Sequence, residues 1–357
     1  MIKVFYFYFN KNKYYSSTPI INNFKILFNH KNIFLKNNIE LIPFIEFIPQ
    51  LDKNIMLIDE NIPKLDEYFE IAMVNILSTL PSLKYQKIIF LGFHPKPFNI
   101  IQKYYNDIKK YANTYTILWQ DDLHAYFEPP ERIKKLDYAD LIITPSPIYF
   151  FNQAKELLLK TSFFFYSIDT DFIKDCDVEF SERQNKILLS GCVNKNYRIR
   201  SEVHKQIANK HFEKIADYLE KPKNKEYNYE NGEELPYGIN YYKILGKYKG
   251  AFFGYYDFPK NFNLAKIIEI LSMGCIGFFE YSPLMEKELG LIAMEHYIPC
   301  TNKENGKLIT DVEYYKYYLD NKDGKGKMIA ENGREYVRKH FSNQKGFENY
   351  VRILNNI

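Results

Sequence analysis

The stretch Asn261-Phe-Asn-Leu-Ala-Lys-Ile-Ile-Glu-Ile-Leu-Ser-Met-Gly-Cys-Ile-Gly-Phe-Phe-Glu280 carries most of the information about the fold. Leu264, Ile267, Ile268 and Leu271 fall at i, i+3, i+4 and i+7, the spacing of one buried helix face. Asn263, Lys266 and Glu269 recur at threefold spacing on another face. Gly274 stands where a helix would place the residue after its C-cap, and the apolar run behind it reads as a strand. A helix that starts just after a loop presents free N–H groups and a positive dipole end, which suits a phosphate. Farther along the same helix, Glu269 is placed to accept hydrogen bonds from ribose hydroxyls. The spacing equally fits an ordinary amphipathic helix with a solvated Lys266–Glu269 pair.

Outward from this stretch the chain keeps alternating strand-like and helix-like runs. Upstream in the same half, residues 186–190 and 250–254 read as strands, and 197–212 and 240–247 as helices. Downstream, residues 314–319, 327–341 and 347–354 read as helices. The first half repeats the theme. Apolar runs at 4–9, 55–58, 87–92, 115–120, 141–144 and 162–168 are separated by helical patterns at 66–80, 98–112, 131–138 and 147–160. Residues 19–49 hold another strand and an irregular loop. Such alternation predicts βαβ units and mostly parallel sheets. A polar stretch, 169–185, separates the two series, and residues 221–236 read as a surface loop. The class expected is α/β with two Rossmann-like domains, 1–170 and 186–340.

Composition limits the function. The chain has 357 residues, 46% hydrophobic and 26% charged, which excludes disordered, collagen-like and disulfide-miniprotein classes. The surplus of 32 Tyr and 29 Phe against one Trp accompanies abundant Lys, Asn and Ile, all residues with AT-rich codons. Codon bias therefore accounts for much of it, with a stacking surface for bases or sugars as the competing reading. The net charge of +4 is spread without a basic block, so no nucleic-acid partner is expected. Four cysteines, Cys176, Cys192, Cys275 and Cys300, lack CxxC spacing, which argues against zinc and for a reducing compartment. No segment reaches membrane length. The expected location is cytoplasmic, with peripheral membrane attachment as an option.

The helix at 263–273 resembles the donor-nucleotide helix of GT-B glycosyltransferases, whose pattern K-x-x-E-x-x-x-x-G is met by Lys266, Glu269 and Gly274. The likeness continues through Ser282-Pro-Leu-Met-Glu-Lys-Glu-Leu-Gly-Leu, Glu295-His-Tyr-Ile and Ile329-Ala-Glu-Asn-Gly-Arg-Glu-Tyr-Val-Arg-Lys-His-Phe341. Upstream, Lys186-Ile-Leu-Leu-Ser-Gly-Cys followed by Tyr197-Arg-Ile-Arg200 resembles the first strand, glycine loop and basic helix of that C-terminal domain. The resemblance spans residues 115–341. It implies two domains facing a cleft, with a helix from 341 to 357 packing back on the first. It also implies a donor site at Gly191, Arg198, Arg200, Asn263, Lys266 and Glu269. The arginines would stabilise the departing nucleoside diphosphate, and no metal or other cofactor would be needed. One departure is visible: many retaining members carry Glu-x₇-Glu, and the first glutamate falls here on Asn261. Glu280 and Glu288 repeat that spacing after the helix, and the match there reads as accidental.

In the first half, Trp119-Gln-Asp-Asp-Leu-His-Ala-Tyr126 follows a strand, where α/β sheets bind ligands. Asp121, Asp122 and His124 are the expected acid–base group, against the alternative of a helix cap and a packed histidine. The run is similar to a W-x-D-D-x-H loop of some GT-B N-terminal domains, and His94 could line the same cleft. Asp169-Thr-Asp171 is the rival signal, because metal-dependent GT-A glycosyltransferases hold a divalent cation with DxD. The resemblance thus implies transfer of a sugar from a UDP- or GDP-sugar to a hydroxyl of a glycan, lipid or protein, with retention and without metal. The alternatives are a non-catalytic GT-B-like protein that binds a glycan or a partner, and the GT-A enzyme.

Overall fold

A computed structural model describes residues 1–7, 31–48, 64–83, 86–93, 95–119, 136–145, 160–191, 193–195, 197–219, 239–255 and 264–357. They form two compact units. One contains the described residues up to Phe165 together with Gly346–Ile357; the other contains Tyr166–Lys345.

The first unit is built on a parallel sheet of β1 (Ile2–Phe7), β2 (Ile39–Pro43), β3 (Lys87–Phe93), β4 (Thr114–Trp119), β5 (Leu141–Thr144) and β6 (Thr161–Phe163), ordered β2-β1-β3-β4-β5-β6. Central strands are near-continuous apolar runs because a parallel sheet is covered on both faces. In β3 every residue after Lys87 is buried. Val4 lies opposite Leu41 on one side and Ile89 on the other. The helices are α1 (Lys31–Lys36), α2 (Leu65–Thr79), α3 (Pro95–Lys103) and α4 (Tyr105–Ile108). On α2, Leu65, Phe69, Ala72, Met73 and Ile76 make the buried face. The single helix expected over 98–112 is divided at Tyr104, and the strand expected over 162–168 stays in the first sheet only through Phe163, while Ile168 makes an isolated bridge to Ser342. Phe164 instead packs at 4.3 Å from the Tyr350 ring. Four expected elements, the strand at 55–58, the loop at 221–236 and most of the helices at 131–138 and 147–160, lie outside the described residues.

The second unit holds a parallel sheet of β7 (Gln184–Ser190), β8 (Ala216–Leu219), β9 (Tyr248–Phe253), β10 (Ile276–Phe279) and β11 (Ile298–Pro299), ordered β11-β10-β9-β7-β8. Its helices are α5 (Thr170–Ile173), α6 (Arg198–Ala208), α7 (Ile239–Gly246), α8 (Leu264–Ser272), α9 (Pro283–Leu289), α10 (Val312–Asp320) and α11 (Lys325–His340); α12 (Asn343–Asn355) is the last helix. Since all strand pairs are parallel, the carboxyl ends of β7, β9 and β10 share one edge. The aromatic surplus goes into the interior: Phe252, Phe278 and Tyr315 are mutual neighbours with ring centroids 5.2–5.9 Å apart. Trp119, Tyr6, Tyr242, Tyr297, Tyr315 and Tyr350 are all fully buried.

The expected end of α8 is present. Gly274 has φ +63°, and its N–H donates to the Leu271 carbonyl at 2.8 Å. The N–H of Cys275 reaches back to the Ile270 carbonyl at 3.4 Å, completing a Schellman stop. This stop turns the chain directly into β10 and so fixes α8 against the sheet.

Candidate donor site at the carboxyl edge of the second sheet

Ser190 is the last residue of β7, and the chain turns away at Gly191 with φ +97°. A β-carbon there would be strained, and it would lie 3.2 Å from Nη1 of Arg200. The turn leads into α6, whose first turn carries Arg198 and Arg200. Cations are disfavoured at a helix start by the dipole, so each needs a compensating partner. Arg200 is only 4% exposed. Its Nε donates to the Gly254 carbonyl at 2.9 Å, and its guanidinium lies 4.2 Å from the Tyr197 ring centroid and 5.2 Å from that of Phe253. Arg198 projects the other way, its side chain 41% exposed. Its Nη2 donates to the Gly306 carbonyl at 3.0 Å and lies 3.8 Å from Oε1 of Glu280.

Glu280 follows β10 and is buried. Its Oε2 accepts the N–H of Tyr255 at 2.9 Å, just beyond the end of β9. On α8, Lys266 and Glu269 form an ion pair of 3.2 Å with the carboxylate almost wholly buried. The Lys266 ammonium sits 3.8 Å from the ring centroid of Tyr241 on α7. The Tyr241 hydroxyl lies 2.8 Å from Oγ of Ser190. Burial pulls the Lys266 pKa down, but Glu269 and Tyr241 push it up, and the balance is a raised value. Lys266 therefore stays an ammonium. Burial likewise raises Tyr241, so its hydroxyl stays protonated. Three cations, Arg198, Arg200 and Lys266, stand against two buried carboxylates, Glu269 and Glu280. The half-exposed Glu202 also lies 3.8 Å from Arg198, so among the described residues three carboxylates face these three cations at the sheet edge where α/β folds take ligands.

The sequence matches no family model and no curated protein. Solved structures do match. One is an alpha-glucosyltransferase in complex with UDP, with TM-score 0.55 and 12% identity over 99% of this chain and 100% of that one. A second is an alpha-glucosyltransferase in complex with UDP-glucose and DNA containing an abasic site, at TM-score 0.54, 12% identity and 99% of both chains. A third is the N-terminal domain of Candida albicans trehalose-6-phosphate phosphatase, at TM-score 0.53, 9% identity, 99% of this chain and 96% of that one. The fold is GT-B.

Within this GT-B chain, Gly191, Arg198, Arg200, Lys266 and Glu269 come together in the second unit. Asn263 and Asn261 lie outside the described residues, as do Asp121, Asp122, His124 and His94. The single-domain GT-A alternative does not survive, because two separate parallel sheets are present. Asp169 caps α5, its side chain accepting the Phe172 N–H at 3.1 Å, and Asp171 is exposed. Among the described residues no group of three or more His, Cys, Asp or Glu side chains could hold a metal ion. None of the described helices is long and apolar enough to cross a membrane.

Three contributors escaped the sequence reading: Ser190, Tyr241 and Glu280. Glu280 left a signal, since it is a lone acid directly after an unbroken apolar strand. Ser190 and Tyr241 left none, because their contact spans a sequence separation of 51.

Proposed function

We propose that this chain is a glycosyltransferase that binds a nucleoside-diphosphate sugar at the carboxyl edge of its second sheet. The observation that carries the reading is the paired placement of a half-exposed arginine and a partly buried, charged lysine around the Gly191 turn. In this reading Arg198 and Lys266 neutralise the diphosphate, and Arg200 holds the turn from beneath. Asn263, next before α8 in the sequence, is expected to contact the donor, and Glu269 lies toward the ribose. Glu280 orients Arg198. Cations already in place stabilise charge that develops on a departing diphosphate without reorganisation. No metal ion is required for that step, so we expect metal-independent transfer. The neighbouring complexes with UDP and UDP-glucose support a uridine nucleotide as the first donor to test.

The acceptor is a hydroxyl of a glycan, lipid or protein, and Asp121, Asp122 or His124 supplies the acid–base group. Retention of configuration is the expected outcome. The test is a thermal-shift and calorimetric screen of UDP, GDP and their sugars, followed by donor hydrolysis. A ligand that binds only the native state raises the melting temperature. Binding with slow hydrolysis of the donor supports the transferase. Binding without any turnover, with or without acceptor, points to a GT-B protein that has kept only recognition. DNA belongs in the acceptor screen, because a neighbouring complex contains it together with UDP-glucose.

A further inference from the structure

Tyr241 is buried on α7, in contact with Lys266 and with the end of β7. A tyrosine that only filled the core could be a phenylalanine. This one uses both of its chemical features. Its ring face lies under the Lys266 ammonium at 3.8 Å, and its hydroxyl bonds Ser190 Oγ at 2.8 Å. Ser190 is the last residue before the Gly191 turn. Glu269, the other partner of Lys266, sits on the same helix at i+3 and cannot fix that helix relative to the turn. Tyr241 comes from a different helix and bridges the two.

We propose that Tyr241 is a positioning residue of the phosphate subsite: its ring holds the Lys266 ammonium, and its hydroxyl sets that ammonium relative to Ser190 and the Gly191 turn. A lysine has a flexible four-carbon stem and binds phosphate as a point charge. Its contribution depends on being held in place before the ligand arrives. The ring quadrupole attracts a cation most strongly where water is excluded, and this site is buried. The hydroxyl adds direction, because a ring without it is free to shift along the lysine stem. The inference rests on the donor-site reading above.

The experiment is calorimetric titration of the full chain with UDP and GDP, with uridine and guanosine binding followed by ligand-observed NMR. We expect Tyr241→Leu to weaken diphosphate binding about tenfold, the size of one lost desolvated cation–ring contact. Tyr241→Phe keeps the ring and should weaken it about threefold, as should Ser190→Ala, since each removes one modest hydrogen bond. Nucleoside binding should not change in any of them. In a Lys266→Ala background, Tyr241→Leu should cause no further loss, because the tyrosine acts through the lysine. Equal losses for nucleoside and diphosphate, or an additive loss in the Lys266→Ala background, would overturn the proposal. If Tyr241→Leu fails to fold, Tyr241→Phe and Ser190→Ala carry the same comparison. If the unmodified chain binds none of the four ligands, the donor reading itself fails and takes this inference with it. If it binds them and the Tyr241 variants are indifferent, only the inference fails.

Discussion

Arg198 and Arg200 stand two residues apart, and the site assigns them different work, which Arg200→Met separates. Methionine keeps the length and much of the apolar packing of the stem but removes the charge and the donor. The lost Nε bond to the Gly254 carbonyl, 2.9 Å long in the native chain, is a hydrogen bond from a charged group, about 1.5–3 kcal/mol. The lost stacking on Tyr197 and Phe253 adds about 0.5–1 kcal/mol for each ring. Allowing for the packing that methionine recovers, the net destabilisation is about 2–4 kcal/mol. In a unit of 150–250 residues each kcal/mol moves the melting temperature by about 2–4 °C, so calorimetry should show a fall of about 4–16 °C. Arg198→Met loses the Gly306 bond and the longer approach to Glu280 but no buried stacking, so it should lower the melting temperature by less than Arg200→Met does. It should weaken UDP binding at least about tenfold, the loss of one charge-assisted contact. The reverse pattern would refute the assignment: a stable Arg200→Met chain that no longer binds UDP, beside an Arg198→Met chain that melts early and binds normally.

Other perturbations test the remaining parts. Glu269→Gln removes the charge that opposes burial at Lys266, so the lysine pKa should fall from its raised value; UDP affinity measured against pH should then be lost at lower pH than in the native chain. In the native chain the raised pKa means that the pair's stabilisation is fully present below the lysine's ordinary 10.5 and disappears only as pH climbs through the raised value. Gly191→Ala forces a β-carbon into a left-handed backbone beside Arg200, and chemical denaturation should report a loss of about 1–3 kcal/mol. Asp169→Ala removes the α5 cap and should cost about 1 kcal/mol of stability, while transfer by the Asp169→Ala/Asp171→Ala chain should survive EDTA; a metal-restored activity that needs both acids would contradict metal-independent transfer. His124→Ala should lower kcat by about 10²–10⁴-fold with UDP affinity unchanged, if His124 is the acid–base group.

The elements most legible in the sequence are those with strong local signals. The α8 periodicity and Gly274 marked a helix and its stop, and both stand within a residue of the expected bounds. The largely apolar runs of β3, β4 and β5 declared buried parallel strands, although Thr114 and Thr116 interrupt β4. Short edge elements were not legible: β8 is the four-residue run Ala-Asp-Tyr-Leu, which carries a charged residue, and β11 has two residues. Their place comes from neighbouring strands rather than from their own pattern. The site divides along the same line. The Lys266–Glu269 pair was marked by its spacing on one helix, and Gly191, Arg198 and Arg200 by the resemblance. The bond from Ser190 to Tyr241 and the approach of Arg198 to Glu280 depend on how separate βα units align their carboxyl ends, and no local pattern encodes that.

The resemblance put both arginines at the diphosphate, and the division between them follows from helix geometry. Residues two apart on a helix point about 200° away from each other, so Arg198 and Arg200 cannot share a face. Ile199, Val203 and Ile207 mark the inner stripe of α6 by their i, i+4 spacing, and all three pack toward the core of the second unit. Arg200 precedes Val203 by three and Ile207 by seven, which puts it on the margin of that stripe. Arg198 precedes Glu202 by four, a pair that belongs to the solvent side and that the structure shows at 3.8 Å. Inward direction alone would make Arg200 a costly buried charge. The Gly254 carbonyl, the Tyr197 and Phe253 rings and the open side of Gly191 make it tolerable; Phe253 ends β9, Gly254 and Gly191 follow strands directly, and Tyr197 caps α6. Keeping a charge buried there stiffens the turn on which the outward-facing Arg198 depends. That is why the two arginines are expected to fail in different assays.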